Sequence, residues 1–303
     1  MIRSISSMNH KRETIKMELA SPETSGFIVR DVTGLGPVKS NIYISEFGSS
    51  DGGYFQSSRM PSRTILLDLV FYGANIERIR ERAYLYFPVQ KKVQLTIETT
   101  EKTLAIDGYV ESNEPNIFSS AESTMVSIRC PDPYFRLVGD EAESSYTFAS
   151  NQPLFEFPFS NDSLTQPLLE FGELTSYVEK NLYYSGDGEN GLKIHVDFLG
   201  PVINPRFHIR NTNQKLGLNT VHIEALTGAP ITSGDMIDIN TKRGEKSIIL
   251  ARGANAYNII GAISPDSTWL SVDRGDNVFT YQVDSGFDNM SISVTTTPLY
   301  LGV

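Results

Sequence analysis

One stretch of the chain, residues 63 to 114, constrains the fold most, because its apolar periodicity changes from strand-like to helical and back. Its first part, residues 63 to 71, has the two-residue alternation of a β-strand, with Ile65 and Leu67 on the predicted inner face. Leu66 and Val70 make the second face partly apolar. A strand that is apolar on both faces is typical of one covered on both sides.

The next part of this stretch predicts a helix over about residues 75 to 87, where Ile79 and Ala83 lie on one apolar stripe. Asn75 is the predicted N-cap, and Pro88 ends the helix. Residues 93 to 109 then alternate again around a polar turn, which predicts a hairpin. Together these elements predict one helix packed on an antiparallel sheet.

The composition changes near residue 136, and we predict two domains and a linker. An N-terminal β domain with one helix takes residues 1–137, the linker residues 138–152 and a C-terminal β domain residues 153–303. The last contains many short apolar segments separated by Gly, Pro, Asn and Asp, including PLFEFPF (153–159), PLLEFG (167–172) and TVHIEA (220–225). Since we identify all of them as strands and none as a helix, we predict an antiparallel β-sandwich or jelly roll.

Charge is divided unevenly between the two predicted domains. Residues 1–135 carry 15 basic and 16 acidic side chains and the remainder 11 and 20, which gives the net charge of −10. Because proteins bind nucleic acid by neutralising its phosphates with Lys and Arg, sequence-specific nucleic-acid binding is not expected.

Membrane insertion is not expected either, because no window approaches the about 20 apolar residues of a membrane span. The first residues lack the apolar core of a signal peptide, so we expect synthesis in a cytoplasm. The single cysteine, Cys130, lies in an apolar strand pattern and is predicted to be a buried small side chain.

The chain has no P-loop, HExxH or paired CxxC motif. His195, His208 and His222 are predicted to point outward from strands without the spacing of a zinc site. The loop SGDGENG at residues 185–191 lacks the ligand pattern of a calcium loop and is predicted to be a hairpin turn. We therefore predict no metal, no cofactor and no enzyme activity.

Two further features bear on binding. Residues 48–62 form a Gly- and Ser-rich segment too polar for a core, which predicts a functional surface loop or a mobile arm. Trp269 is the only tryptophan and is either a platform for a sugar ring or an anchor at the edge of the core.

The order of several segments resembles the distal tail protein (Dit) family of siphophage tail components over residues 17 to 303. The N-terminal segments are VTGLGPV, DGGYFQSSRMPSRTILLDLVF, IERIRERAYLYF, DGYVESNEP and SIRCPDPYF. The C-terminal ones are FEFPF, GPVINPRFHIRN, SGDMIDINTKRGEKSI and PLYLGV. The resemblance leaves residues 1 to 12 unassigned, either as an arm or as an alternative start.

This resemblance implies a mainly β protein with a split-barrel-like N-terminal domain containing one helix and a galectin-like or jelly-roll C-terminal sandwich. It also implies a virion structural protein at the tail tip, made in the host bacterial cytoplasm and assembled as a ring, generally of six subunits. The ring would join the tail tube protein to the tail-tip hub and anchor receptor-binding or other baseplate proteins.

The charged face of the predicted helix is either a solvated surface or the place where ring subunits meet, and we take Arg78, Arg80 and Arg82 as the candidate ring-interface surface. The alternative function is a carbohydrate-binding module that docks the virion on host cell-wall polysaccharide, with Trp269 as the candidate sugar contact.

Overall fold

The computed structural model of the chain describes residues 1–139, 142–152, 173–176 and 179–303. Up to residue 139 the strands are β1 (Ile2–Met8), β2 (Thr14–Glu18), β3 (Phe27–Thr33), β4 (Asn41–Glu46), β5 (Gly53–Arg59), β6 (Arg63–Phe71), β7 (Lys92–Thr99), β8 (Thr103–Asn116), β9 (Ser123–Cys130) and β10 (Phe135–Leu137). The later strands are β11 (Ser144–Thr147), β12 (Ala149–Gln152), β13 (Glu173–Ser176), β14 (Glu179–Tyr184), β15 (Asn190–Gly191), β16 (Lys193–Phe198), β17 (Arg206–Ile209), β18 (Gln214–Gly217), β19 (Met236–Asn240), β20 (Ser247–Arg252), β21 (Asn255–Asn258), β22 (Ser271–Val272), β23 (Gly275–Gln282), β24 (Met290–Thr296) and β25 (Leu299–Tyr300).

Two α-helices accompany these strands, α1 (Ile76–Tyr86) and α2 (Thr220–Thr227). Short 3-10 turns lie at Pro22–Thr24, Ile260–Ala262 and Phe287–Asn289. Within the described residues, no helix is long and apolar enough to cross a membrane. The predicted mainly β fold with a single helix in the N-terminal part is confirmed.

The chain forms two compact units. The first contains Met1–Ala142 and Leu299–Val303, and the second contains Glu143–Pro298. The last five residues therefore differ from the sequence-based domain assignment, because β25 pairs with β10 of the first unit. The predicted linker is also partly wrong: residues 144–147 form β11, which pairs with β24 of the second unit.

The first unit is an antiparallel sheet in the order β2-β1-β7-β8-β9-β6-β3, and β10 pairs with both β8 and β25. The edge strands β2 and β3 are consecutive in the chain. β1 lies inside the sheet between β2 and β7, with Ile5 opposite Met17 and Ile97. The first residues are thus an integral strand and not an arm.

Helix α1 is capped at its first turn and bonded to the sheet at its last turn. The Asn75 side chain accepts a hydrogen bond from the Arg78 amide, as an N-cap does. At the other end, the Asn113 side chain of β8 donates to the carbonyls of Ala83 and Phe87, both at 3.2 Å. Its apolar stripe, including Ile79, is buried as predicted.

The core of the first unit lies on the inner face of β6, where Ile65, Leu67 and Leu69 are fully buried. On the opposite face Leu66 and Val70 are half-buried, so the coverage predicted on both sides is complete on one only. Cys130 is fully buried in β9 as predicted, and burial raises the pKa of its thiol to about 12.

Arg63 begins β6 on the same inner face, and it is only 2% exposed. Its guanidinium donates to four carbonyls: Pro133 from Nε (2.9 Å), Gly34 and Gly36 from one terminal nitrogen (2.6 and 2.8 Å) and Leu301 from the other (2.5 Å). The Phe135 ring covers it at 4.5 Å. One cation thus holds three separate chain segments together.

The second unit is a β-sandwich. One sheet has the order β11-β24-β16-β19-β20-β21 and the other the order β14-β23-β17-β18. Their inner faces share one core, in which Ile194 and Ile239 of the first sheet join Phe207 and Phe279 of the second. The strands predicted at residues 153–159 and 167–172 lie outside the described residues.

Two local predictions in this unit are wrong. Residues 220–225 form part of helix α2 and not a strand, because Asn219 caps its first turn and Gly228, with φ 79°, ends it in the left-handed conformation. The loop at residues 185–191 is not a hairpin turn. It leads from β14, which pairs with β23, to β15, which pairs with β22.

Replacing Arg63 by Met should destabilise the first unit by at least about 3 kcal/mol, because buried carbonyls lose their charged donor. The free energy of unfolding is measured in a denaturant titration, with the reaction of Cys130 with a thiol reagent as the signal of unfolding. Arg30→Met is the matched control: Arg30 is exposed and pairs with Asp68 at 2.6 Å, so its loss should cost less than about 1 kcal/mol. Equal stability of the two variants would contradict the structural role of Arg63.

Candidate protein interface

The three arginines of α1 have different surroundings. Arg78 is exposed, and its guanidinium pairs with no carboxylate in the part of the chain that the structure describes. Arg80 pairs with Glu122 at 2.9 Å and with Glu77 at 3.9 Å, and its side chain is largely buried. Of these two arginines, only Arg78 presents an uncompensated charge to solvent.

Arg82 is used within the unit as well. It donates to the Ser25 carbonyl at 3.0 Å and lies 5.9 Å from the ring centres of Phe27 and Tyr86. Arg80 and Arg82 therefore fasten the helix to the first unit. A ring contact through this face stays a prediction, and in the free subunit Arg78 is the member available for it.

A larger exposed apolar surface lies on the hairpin of β4 and β5, which forms a separate two-stranded sheet. One face carries Ile42, Ile44 and Phe55, with Ile44 opposite Phe55. Ile44 is 60% exposed and Phe55 63% exposed. This face of the hairpin is therefore an apolar surface in contact with water.

The opposite face of the same hairpin is aromatic. It carries Tyr43, Phe47 and Tyr54, all exposed, and the rings of Phe47 and Tyr54 lie 6.1 Å apart. A register shift between Tyr43 and Ile44 adds an extra residue, Gln56, to β5. Both faces of the ribbon thus present large apolar side chains.

Such a hairpin is poorly stabilised on its own. An isolated two-stranded ribbon is marginal in water, and exposed apolar patches mark sites of association. Six large side chains are exposed on its two faces. The hairpin thus has the apolar composition of a buried element although it is exposed to solvent. We expect another polypeptide to cover it.

The sequence predicted a surface loop or a mobile arm over residues 48–62, whereas residues 53–59 form β5. The polar Gly and Ser content concealed β5. The signal that could have found it is Tyr54-Phe55 directly after Gly52-Gly53, because β-favouring aromatic residues beyond a glycine turn are typical of a returning strand.

Trp269 lies outside any strand and is half-buried against the core of the second unit. The Lys246 ammonium lies 5.0 Å from its ring centre. The neighbouring Leu270 and Val272 are buried. The structure therefore places Trp269 at the edge of the core, and a sugar contact there stays a prediction.

The three histidines of the second unit do not form a cluster. His195 in β16 lies between Asp238 (2.6 Å) and Asp197 (3.2 Å). Partial burial lowers its pKa, but these two carboxylates outweigh that and raise it overall. His208 is in β17, where burial and then Lys215 and Arg206 lower its pKa.

His222 belongs to helix α2 and is exposed, which corrects its prediction as a strand residue. Among the residues that the structure describes, no group of three or more His, Cys, Asp or Glu side chains is arranged to hold a metal ion.

Comparison with known proteins places this architecture. No protein-family model and no curated protein sequence matches the chain. Among solved structures, the Dit protein (gp19.1) of phage SPP1 matches with a TM-score of 0.60 and 12% identity, over 96% of this chain and 98% of that one. The chain has the fold of a phage Dit protein.

The SPP1 Dit protein is described as a paradigm of the hub adsorption apparatus in phages that infect Gram-positive bacteria. A chain from the phage P2 baseplate in its activated conformation with Ca also matches, with a TM-score of 0.44 and 10% identity over 98% of this chain and 99% of that one. The Dit-like fold agrees with the resemblance found in the sequence.

Charge-reversal variants on α1 distinguish the paired Arg80 from the exposed Arg78. Arg80→Glu should lower the free energy of unfolding by about 1 kcal/mol, because it places a carboxylate beside Glu122. Arg78→Glu, with the same change in charge on the same helix, should alter it by less than about 0.5 kcal/mol. Urea unfolding measures both, and a larger effect for Arg78→Glu would be inconsistent with the observed pairing.

Proposed function

We propose that this protein is a structural component of a phage tail tip. It assembles as a ring, generally of six subunits, at the distal end of the tail tube, joins the tube protein to the tail-tip hub and anchors receptor-binding or other baseplate proteins. The support is the Dit-like fold, which covers nearly all of this chain and of the SPP1 protein. The role is one of binding and positioning, and it requires no catalytic residue.

The observation that carries the ring proposal is the hairpin β4–β5 with its two exposed apolar faces. Covering one large apolar side chain contributes about 1.5 to 3 kcal/mol, so covering several supports stable association. The hairpin is a projecting two-stranded ribbon, and such a shape fits a surface unlike itself. Contacts between unlike surfaces generate closed rings when the rotation between subunits closes.

Assembly in this form also gives the exposed apolar side chains of the hairpin a function. A subunit in a ring is never without its neighbours, so the hairpin is covered in the assembled tail. The virion tail tip is then the place of action, and the protein is made in the cytoplasm of the host bacterium before assembly.

The test is the mass and shape of the purified protein, alone and with its hub partner, by light scattering and negative-stain microscopy. Closed rings are expected. The double variant Ile44→Asp with Phe55→Asp should remain folded, because both side chains are exposed, and should weaken self-association at least about a hundredfold.

The matched control is Val221→Asp, which places the same charge at an exposed apolar residue of α2 in the second unit. It should leave ring formation unchanged. A parent protein that stays monomeric with its hub partner and never enters tails would overturn the proposed function.

A further inference from the structure

A basic turn lies between β1 and β2. His10, Lys11 and Arg12 follow one another there, and all three are exposed. None of them pairs with a carboxylate within the described ranges of the chain. The turn therefore presents a local positive charge on a first unit that is almost neutral as a whole.

This turn is held rigidly by Asn9, which is 3% exposed. The Asn9 side-chain oxygen accepts from the amides of Lys11 (2.9 Å) and Glu13 (3.0 Å). Its side-chain nitrogen donates to the Glu13 carboxylate (2.8 Å) and to the Leu85 carbonyl (3.0 Å). Both ends of the amide are used, so the basic turn is fastened to the last turn of α1.

An apolar patch adjoins the basic turn at this end of α1. Tyr84 and Leu85 in the last turn of the helix and Val89 just beyond it are all exposed. The Asn9 contact places Leu85 beside the turn. The surface is thus apolar with a basic rim. We call it the receptor patch; the name refers to this surface of the protein and not to a host receptor.

The hairpin β4–β5 has the opposite charge at its tip. Glu46 ends β4 and Asp51 lies in the loop that follows, and both are exposed. Neither pairs with a basic side chain among the described residues. The hairpin is therefore an apolar body with an acidic tip, and its strands give it a length of about 20 Å.

We propose that the hairpin of one subunit docks on the receptor patch of the next copy of this chain, with Glu46 and Asp51 facing Lys11 and Arg12. This inference rests on the proposed ring and specifies its contact. Both surfaces are apolar, and one carries acidic and the other basic side chains. Both are exposed in the single subunit. They meet only between copies, where complementary charge fixes register and excludes wrong partners.

The contact is heterologous, since a hairpin and a receptor patch are different surfaces of the same chain. Each subunit gives a hairpin to one neighbour and receives one from the other. This arrangement predicts a specific behaviour of charge-reversed variants. A tip-reversed variant carries Glu46→Lys and Asp51→Lys, and a turn-reversed variant carries Lys11→Glu and Arg12→Glu.

Each variant alone should lose rings, with at least a tenfold lower ring fraction than the parent, because every contact then joins like charges. An equimolar mixture of the two should restore rings. In an alternating ring, each lysine tip meets a glutamate turn and each acidic tip meets a basic turn, which closes for an even number of subunits such as six. Light scattering and negative-stain microscopy of the full-length proteins measure the ring fraction.

Arg243→Glu, a charge reversal at an exposed position of the second unit, is the control and should leave rings intact. Rings formed equally well by both single-surface variants, or folded variants whose mixture stays ring-free, would overturn this contact and leave the ring itself standing. Loss of rings in Ile44→Asp with Phe55→Asp together with intact rings in both charge-reversed variants would assign the hairpin to another surface. A parent protein that forms no rings, either alone or with its hub partner, and never enters tails would overturn the proposed function.

Discussion

The first unit depends on one buried cation. Arg63 lies on the inner face of β6 and is surrounded by carbonyl groups and an aromatic ring, with no carboxylate among its hydrogen-bond partners. A charge without water is tolerated only where its donors are satisfied. Three segments must therefore meet at Arg63: the Gly34–Gly36 turn, the segment at Pro133 and the C-terminal residues. The last residues of the chain thus pack beside segments of its N-terminal part.

The polar groups that hold this unit together are satisfied internally, and its unsatisfied surfaces are the ones available for assembly. Arg63, Arg82 and Asn113 use their donors on carbonyls of neighbouring segments. In contrast, the hairpin β4–β5 exposes apolar side chains on both faces and acidic groups at its tip. The buried contacts that stabilise the unit and the apolar surface that it exposes thus lie in different parts of one unit.

Much of the fold could be predicted where a local pattern and a local signal agreed. The alternation around Leu67 and the helical spacing around Ile79, capped by Asn75, correspond to β6 and α1. Prediction failed where two signals competed. Around Ile223 the alternation favoured a strand, but the caps Asn219 and Gly228 form a helix that buries this single residue. At the hairpin, the Gly and Ser content hid a strand whose aromatic residues, Tyr54 and Phe55, are exposed.

The sequence by itself determined the periodicity of most strands, the position of α1, the burial of Cys130 and the mainly β class, because these depend on neighbours a few residues away. The tertiary structure alone decided which arginines are used in contacts within the unit and which are exposed to solvent. Arg80 and Arg82 turn inward to Glu122 and Ser25, while Arg63 is buried among carbonyls up to 238 residues away in the chain. It also decided that Leu299–Val303 joins the first unit and that the basic turn adjoins α1. Such contacts join segments distant in sequence, and no local pattern specifies which distant group will satisfy a given donor or cover a given apolar face.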